Sequence, residues 1–414
     1  MHRIILIALF LAATAAHAEE ALSPEARIAA LEAQVAALQK RLDEITAPAR
    51  PAPAEAPSRE KPGLSLGAVT VGGMIETQFS TAVGGSLRQP IFTGTKGNSD
   101  FVLTHAHPSI RATLNDKTSA YADWCMTHMG MTATYEAYLE HAASETVDVK
   151  AGRWLLPFGA WNSISNPAQF PTVSRPLMYL GHEERGIVLQ GGPRPILNDE
   201  HSDIGLLVSG QKEMGAPILG YAAYVSNGFG DQFSNYPDAW IDYRANEDNN
   251  SHKSLGGRLS LTMGGLTLGA SATGGKWDTE NRYAYSIRGL DATWRNAGGL
   301  TLRAEYATNP VNRPADSGGR LRRHGWYAMA DQRLSPKWNA VAMYSTLSES
   351  PTANVRTVSR LTLGADYRLA DTATLKAEVG RLFIGRFIGD PTNAPQGTDY
   401  QDVTTLKMST VVSF

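Results

Sequence analysis

From Leu64 to Phe414 the chain alternates apolar and polar residues with a period of two. Val69, Val71, Ile75 and Phe79 interleave with Thr70, Gly72, Glu76 and Gln78. Leu255, Leu259, Leu261 and Met263 interleave with Arg258, Ser260 and Thr262. Leu361, Leu363, Ala365, Tyr367 and Leu369 interleave with Arg360, Asp366 and Arg368, and Leu406, Met408, Val412 and Phe414 with Lys407, Ser409 and Ser413. Successive side chains of a strand point to opposite faces, so each segment has one apolar and one polar face. A soluble sandwich shows the same alternation. Here the polar face carries many full charges, and the pattern continues to the C-terminus without a helical segment. That favours a closed barrel with lipid outside and water inside.

The N-terminus supports export. His2 and Arg3 form a short positive region, Ile4 to Ala13 an apolar one, and Ala16-His17-Ala18 a small-residue cleavage site before Glu19. Residues 1–18 therefore read as a signal peptide. No later run approaches the roughly 18 apolar residues of a membrane-spanning helix. An exported chain of this kind is soluble or spans a membrane as a closed barrel.

Composition removes other classes. Lys and Arg total 38 and Asp and Glu total 40, a formal net charge of −2 with no basic run, so nothing favours nucleic acid. Cys125 is the single cysteine, which excludes an intramolecular disulfide and the CxxCH and CxxC motifs of haem, zinc and iron–sulfur sites. No cofactor is expected.

Two short zones precede the barrel. Residues 19–46 carry a heptad seam of Ile28, Leu31, Val35, Leu38, Leu42 and Ile45, spaced 3, 4, 3, 4, 3. Ser23 suits the cap, Pro24 the first helical position and Glu25 the positive helix end. The seam predicts a short oligomeric coiled coil rather than a helix packed on its own domain. Three heptads are marginal alone and need the chains held together by something else. Residues 47–63, with Pro48, Pro51, Pro53, Pro57 and Pro62, form an extended linker that cannot build a core.

Sixteen strands are expected: 68–80, 100–114, 118–128, 131–142, 146–156, 203–211, 217–227, 252–263, 266–276, 283–295, 299–309, 322–334, 337–348, 357–369, 372–386 and 401–414. Short connections such as 115–117, 143–145, 264–265 and 335–336 then alternate with long ones at 81–99, 157–202, 228–251, 310–321 and 387–400. Short turns at one end and long loops at the other are the organisation of an outer-membrane barrel. Counting Gly186–Gln190 as a strand would break this alternation, so it is assigned to the third long loop. Pro108 is a blemish in the second strand, because proline cannot donate to a ladder.

Several segments resemble the trimeric outer-membrane porins of Gram-negative bacteria, especially the phosphate-selective O/P group and its coiled-coil-bearing relatives. They are Leu31–Val35, Ala151–Gly159 with its GR-x-x-x-PFG core, Asp203–Gly210, Ala223–Gly228 and the terminal Phe414. The resemblance implies a homotrimer in outer-membrane lipid with its coiled coil in the periplasm. It implies that Phe414 is read by the barrel assembly machinery. It also implies a third loop, led in by GR-x-x-x-PFG, that folds into the lumen and narrows it. A lysine ladder of the kind tied to phosphate selectivity is absent.

Alternation assigns residues to the lumen wall. The first five strands contribute Glu76, His105, His107, Arg111, Asp123, Glu136, Glu140, Asp148 and Lys150. Strands eight to sixteen contribute Arg258, Asp291, Arg303, Glu305, Asp331, Arg333, Arg360, Asp366, Arg368, Lys376, Glu378 and Lys407. Walls of unlike sign would set up a transverse field that favours polar solutes. The bland reading is that these charges pair across strands and stabilise the wall. The third loop would add Arg175, Tyr179, His182, Glu183, Glu184 and Arg185 at the narrowest point, with Arg153 at the strand end facing them.

His105 and His107 share one strand face, but no third ligand stands near them in sequence, so lumen lining is preferred to a metal site. No serine or cysteine sits in a nucleophile setting, so no enzyme is expected. The leading expectation is passive diffusion of small hydrophilic solutes or ions. The alternative is a substrate-specific uptake channel or receptor for an anionic nutrient or siderophore.

Overall fold

The computed structural model describes residues 64–66, 68–83, 99–126, 133–164, 166–180, 193–198, 201–230, 248, 250–315, 319–350, 357–384 and 403–414. The signal peptide, the heptad seam, the linker, His182 to Arg185 and the Gly186–Gln190 segment lie outside these residues.

Sixteen long strands close into an antiparallel barrel. They are β1 (Val69–Val83), β2 (Asp100–Asn115), β3 (Thr118–Cys125), β4 (Ala133–Ser144), β5 (Val147–Leu155), β6 (Ser202–Glu213), β7 (Ile218–Ser226) and β8 (Ser254–Met263). They continue as β9 (Leu266–Lys276), β10 (Ala284–Arg295), β11 (Leu300–Asn312), β12 (Arg320–Arg333), β13 (Trp338–Ser350), β14 (Thr357–Ala370), β15 (Ala373–Ile384) and β16 (Val403–Ser413). Each strand pairs with its chain neighbours, and β16 returns to β1 in the register Ser413↔Met74 and Met408↔Phe79. Closure leaves no open edge in the ring, the only way a sheet can satisfy its backbone in lipid. A three-residue strand, Leu64–Leu66, adds to β1 and was not expected from the sequence.

The expected strands are all present. Several run further toward the long connections than the alternation indicated: β1 reaches Val83, β11 Asn312 and β13 Ser350, and β12 begins at Arg320. Pairing continues there although the apolar face has given way to polar residues.

Phe414 removes one demand on the proline. Gly73 exchanges both backbone bonds with Phe414, at 2.9 and 3.0 Å. Gly73 is also the register partner of Pro108, so its N–H and C=O face away from the proline. That pair needs no donor from Pro108.

The two faces differ sharply. Phe101, Leu103, Leu206, Leu255, Leu259, Leu290, Leu363 and Met408 are exposed on the outside. Glu76, His105, Asp291, Glu305, Arg360, Lys376, Glu378 and Lys407 are buried on the inside. Exposed leucines and buried charges invert the usual soluble pattern and fit a barrel in lipid with a polar interior.

Candidate functional site

The segment after β5 bonds to inward-facing side chains of the wall. It begins at the GR-x-x-x-PFG sequence. Gly152 has φ 126°, which breaks the alternation, and both Arg153 and Trp154 are buried. Arg153 donates to Ser202 Oγ on β6 at 3.4 Å. Phe158 packs into a notch at Gly289 on β10, where an added Cβ would lie 2.7 Å from its Cζ. Gly159 has φ 63°, and a Cβ there would overlap the Glu305 carboxylate. The motif is therefore a crossing: one ring keyed into the wall, then a glycine passing over a wall carboxylate in a left-handed conformation open to glycine.

Two glutamates receive the loop. Glu305 on β11 accepts from Ala160 N (3.2 Å), Trp161 N (3.3 Å) and the Tyr179 hydroxyl, with the Tyr327 hydroxyl at 3.4 Å. Burial and the adjacent Glu305 push the Tyr179 hydroxyl well above its ordinary range, so it stays a donor. Glu378 on β15 accepts from Val173 N (2.8 Å), Ser174 N (3.0 Å) and Ser174 Oγ. Bonds from amides to a carboxylate are charge-assisted and stronger than neutral ones.

Basic residues of the wall hold the loop carbonyls. Lys376 Nζ donates to Pro167 O at 2.6 Å and Phe170 O at 2.5 Å. The Arg360 guanidinium donates to the Arg175 carbonyl, and Lys407 Nζ donates to Ser174 Oγ at 2.8 Å. Arg194 N reaches Glu349 Oε2 on β13 at 3.2 Å, and Arg323 on β12 pairs with the same carboxylate at 2.9 Å. The loop thus bonds to β11, β13, β14, β15 and β16, all remote from it in sequence.

Arg175 and Tyr179 are fully buried between loop and wall. Arg175 stacks over Phe170 with 4.9 Å to the ring centroid and lies 3.5 Å from His105 Nε2. His105 Nδ1 is 2.8 Å from Glu76 Oε2, and His107 Nδ1 is 3.2 Å from Asp123 Oδ1. Each histidine is paired with a carboxylate, and no group of three metal-ligating side chains occurs among the described residues. Cys125 is buried beside Ala133 and Tyr135.

The wall of β2–β5 carries a second set. Arg111 and Lys150 flank Glu140 at 3.7 and 3.3 Å, over the rings of Tyr121 and Tyr138. Arg258 pairs with Asp291 at 2.5 Å. Arg303 is half-buried, whereas Arg333 and Arg368 are exposed at the short-turn ends of β12 and β14. Cross-strand pairing, on β2–β5 and between β8 and β10, therefore absorbs several of the charges the sequence placed on the lumen wall.

Sequence reasoning missed Arg323, Glu349, Asn162 and His201. The first two share the parity of Asp331 and Val341 and were legible as inward positions. Asn162 and His201 have no periodic signal.

The interior and the closure point to one architecture. Residues 211–383 match the model of the family described as Gram-negative porin. The chain resembles a Gram-negative porin. The porin-like barrel is similar in fold to an anion-selective porin from Comamonas acidovorans, with 14% identity over 84% of this chain and 99% of that one and a TM-score of 0.57. It is similar also to the outer membrane channel DcaP of Acinetobacter baumannii, with 10% identity, 84% and 97% coverage and a TM-score of 0.53. A third is the trimer form of OmpT of Vibrio cholerae, with 11% identity, 84% and 99% coverage and a TM-score of 0.51. No curated protein matches the sequence. Family and fold together support an outer-membrane channel and give no positive sign of an enzyme.

Proposed function

We propose that the protein is a porin for passive diffusion of small hydrophilic solutes or ions, narrowed by its third loop. The observation that carries this reading is the bonding of loop residues 159–179 to Glu305, Arg360, Lys376, Glu378 and Lys407 of the inner wall. A segment so fixed takes up part of the lumen. Arg153, Arg175, Tyr179, His105, His107 and Arg360 set the loop's position. Arg111, Lys150, Arg258, Arg303, Arg333 and Arg368 face the solute path. His182, Glu183, Glu184 and Arg185 belong to the same loop and extend the proposed constriction. Trimeric assembly is supported by the trimer form of a structurally similar protein. A periplasmic coiled coil on the Ile28–Ile45 seam, and reading of Phe414 by the assembly machinery, complete the proposal.

Planar-bilayer conductance of wild type and Arg175→Ala tests this. Three-step openings with a current altered by the substitution are expected. A folded barrel that never conducts would overturn the reading. Saturable block by one anionic solute would favour the specific uptake channel instead.

A further inference from the structure

The docking of the third loop crosses the seam where the barrel closes. Glu378 on β15 and Lys407 on β16 meet Ser174, and the Arg175 carbonyl accepts from Arg360 on β14. The Arg175 side chain reaches past the seam, where its Nη2 stands 3.5 Å from Nε2 of His105 on β2. One loop residue is thus held by its carbonyl on the last strands and by its guanidinium on the second.

The partners of His105 fix where its hydrogen sits. Nδ1 is 2.8 Å from Glu76 Oε2 on β1. The same carboxylate takes the Ser409 hydroxyl of β16 on Oε1 at 2.5 Å, and Thr104 Oγ1 lies 3.2 Å from Oε2. An ionised carboxylate only accepts, so Nδ1 carries the hydrogen. A guanidinium only donates, so Nε2 presents its lone pair to Arg175. The imidazole therefore fits between its two partners in one form, neutral and protonated on Nδ1. Both His105 and Glu76 are buried, which strengthens each of these contacts.

A second ring proton would turn the acceptor into a donor aimed at a guanidinium. Among the described residues, further charged or titratable groups face this pair from three strands. They are His107 on β2, with its ring centroid 5.3 Å from that of His105, Asp123 on β3, which pairs with His107, and Lys376 on β15, which acts on both Glu76 and Arg175. Glu76 is engaged at Nδ1, and its attraction does not supply Arg175 with the lost acceptor.

We propose that His105 is a positioning residue for the third loop: its neutral imidazole receives Arg175 at Nε2 and ties the loop to β1 and β2 across the closure seam. The inference rests on the reading of the third loop as the constriction and deepens it. Docking at this point weakens as pH falls, because protonation of Nε2 removes the acceptor.

Two measurements on the full chain test this. In detergent at pH 7, with histidine labelled by nitrogen-15, the His105 signal is identified by its absence from His105→Gln. It should show a protonated Nδ1 and a bare Nε2, and Arg175→Ala should shift the Nε2 signal alone. In planar bilayers, lowering the pH from 7 to 4 should change the wild-type current reversibly. His105→Leu offers no acceptor and should show an altered current already at pH 7, with a flatter pH profile. His105→Gln supplies an acceptor that does not titrate. It should rescue the current at pH 7 and lose most of the acid response, leaving the part that belongs to His201. If His105→Leu fails to close, judged by its unheated gel mobility, His105→Gln and the nitrogen signals decide. A protonated Nε2 at pH 7 would overturn the proposal. So would an Nε2 signal indifferent to Arg175→Ala, or a full acid response in His105→Gln. A folded barrel that never conducts would sink the channel reading and leave the nitrogen signals to judge this one.

Discussion

The carboxamide of Asn162 bonds both backbone groups of His201, accepting from its N–H at 2.9 Å and donating to its carbonyl at 3.0 Å. The same amide donates to Leu156 O at 2.7 Å. Leu156 follows β5 and His201 precedes β6, so one side chain ties the exit of the third loop to its entry. Asn162 stands in a single turn of 3₁₀ helix, Asn162–Ile164, in a region the sequence read as wholly irregular. It does the work of a ladder residue where the ladder has ended.

Asn162→Ala should free the neck of the loop. Three buried backbone groups each lose their bond to Asn162, worth about 1 kcal/mol net apiece, and the His201 and Leu156 carbonyls keep their other donors, Leu156 N and Phe158 N. The loss is local, because the barrel strands do not depend on this residue. Hydrogen exchange should accelerate in residues 156–201 while strand amides stay protected. Equal acceleration throughout would refute the assignment.

His201 gives the loop a pH dependence of known sign. Burial, with a smaller contribution from Arg153, lowers its pKa from 6.5 to about 3. It stacks on Phe229 with ring centroids 5.0 Å apart. Between these two pKa values an undocked loop takes a proton that the docked loop refuses. Docking is therefore unaffected by His201 above pH 6.5 and weakens progressively as pH falls toward 3. Trypsin cleavage of the loop, followed from pH 7 to pH 4, should rise in wild type and rise less in His201→Gln.

Gly159→Ala should displace the loop entry. The residue has φ 63°, and the new methyl would meet the Glu305 carboxylate, with the Tyr179 hydroxyl close by. Strain and collision together are worth about 2–3 kcal/mol. Single-channel conductance should change, whereas the unheated gel mobility of the barrel should not. Unaltered conductance would show that the crossing at Glu305 does not control the path.

Glu378→Gln should loosen the loop tip. A neutral amide accepts more weakly, and its NH₂ would oppose the Val173 and Ser174 amides that the carboxylate now receives. Current noise should increase at unchanged folding. A quiet channel identical to wild type would argue against anchoring by this residue.

Gly73→Val should impair barrel closure rather than the pore. A Cβ there would collide with the His107 carbonyl and lie 2.9 Å from Phe414 Cζ, at the seam where β16 meets β1. The heat-modifiable gel band that marks a closed barrel should decrease. A normal yield of folded protein would show that the seam adjusts.

The barrel was legible because its rules are local. Leu255, Leu259 and Met263 alternate with Arg258 within one strand, and Gly264-Gly265 turns the chain back within the next two residues. Lipid leaves the backbone no alternative to closed pairing, so period, turn length and an even strand count suffice. The inward parity of Glu76, Glu305, Lys376 and Glu378 followed from the same alternation.

What those inward residues touch could not be read in the same way. Lys376 meets Pro167 and Lys407 meets Ser174, partners separated by more than two hundred residues. No periodicity encodes such pairs; they exist because ring closure brings β14–β16 opposite the segment leaving β5. The alternation determined which side chains face the interior, as strand geometry requires. Only the closed tertiary structure decided that Arg175 and Arg360 are buried against each other rather than exposed to water, because that depends on where a loop with no repeat of its own comes to lie.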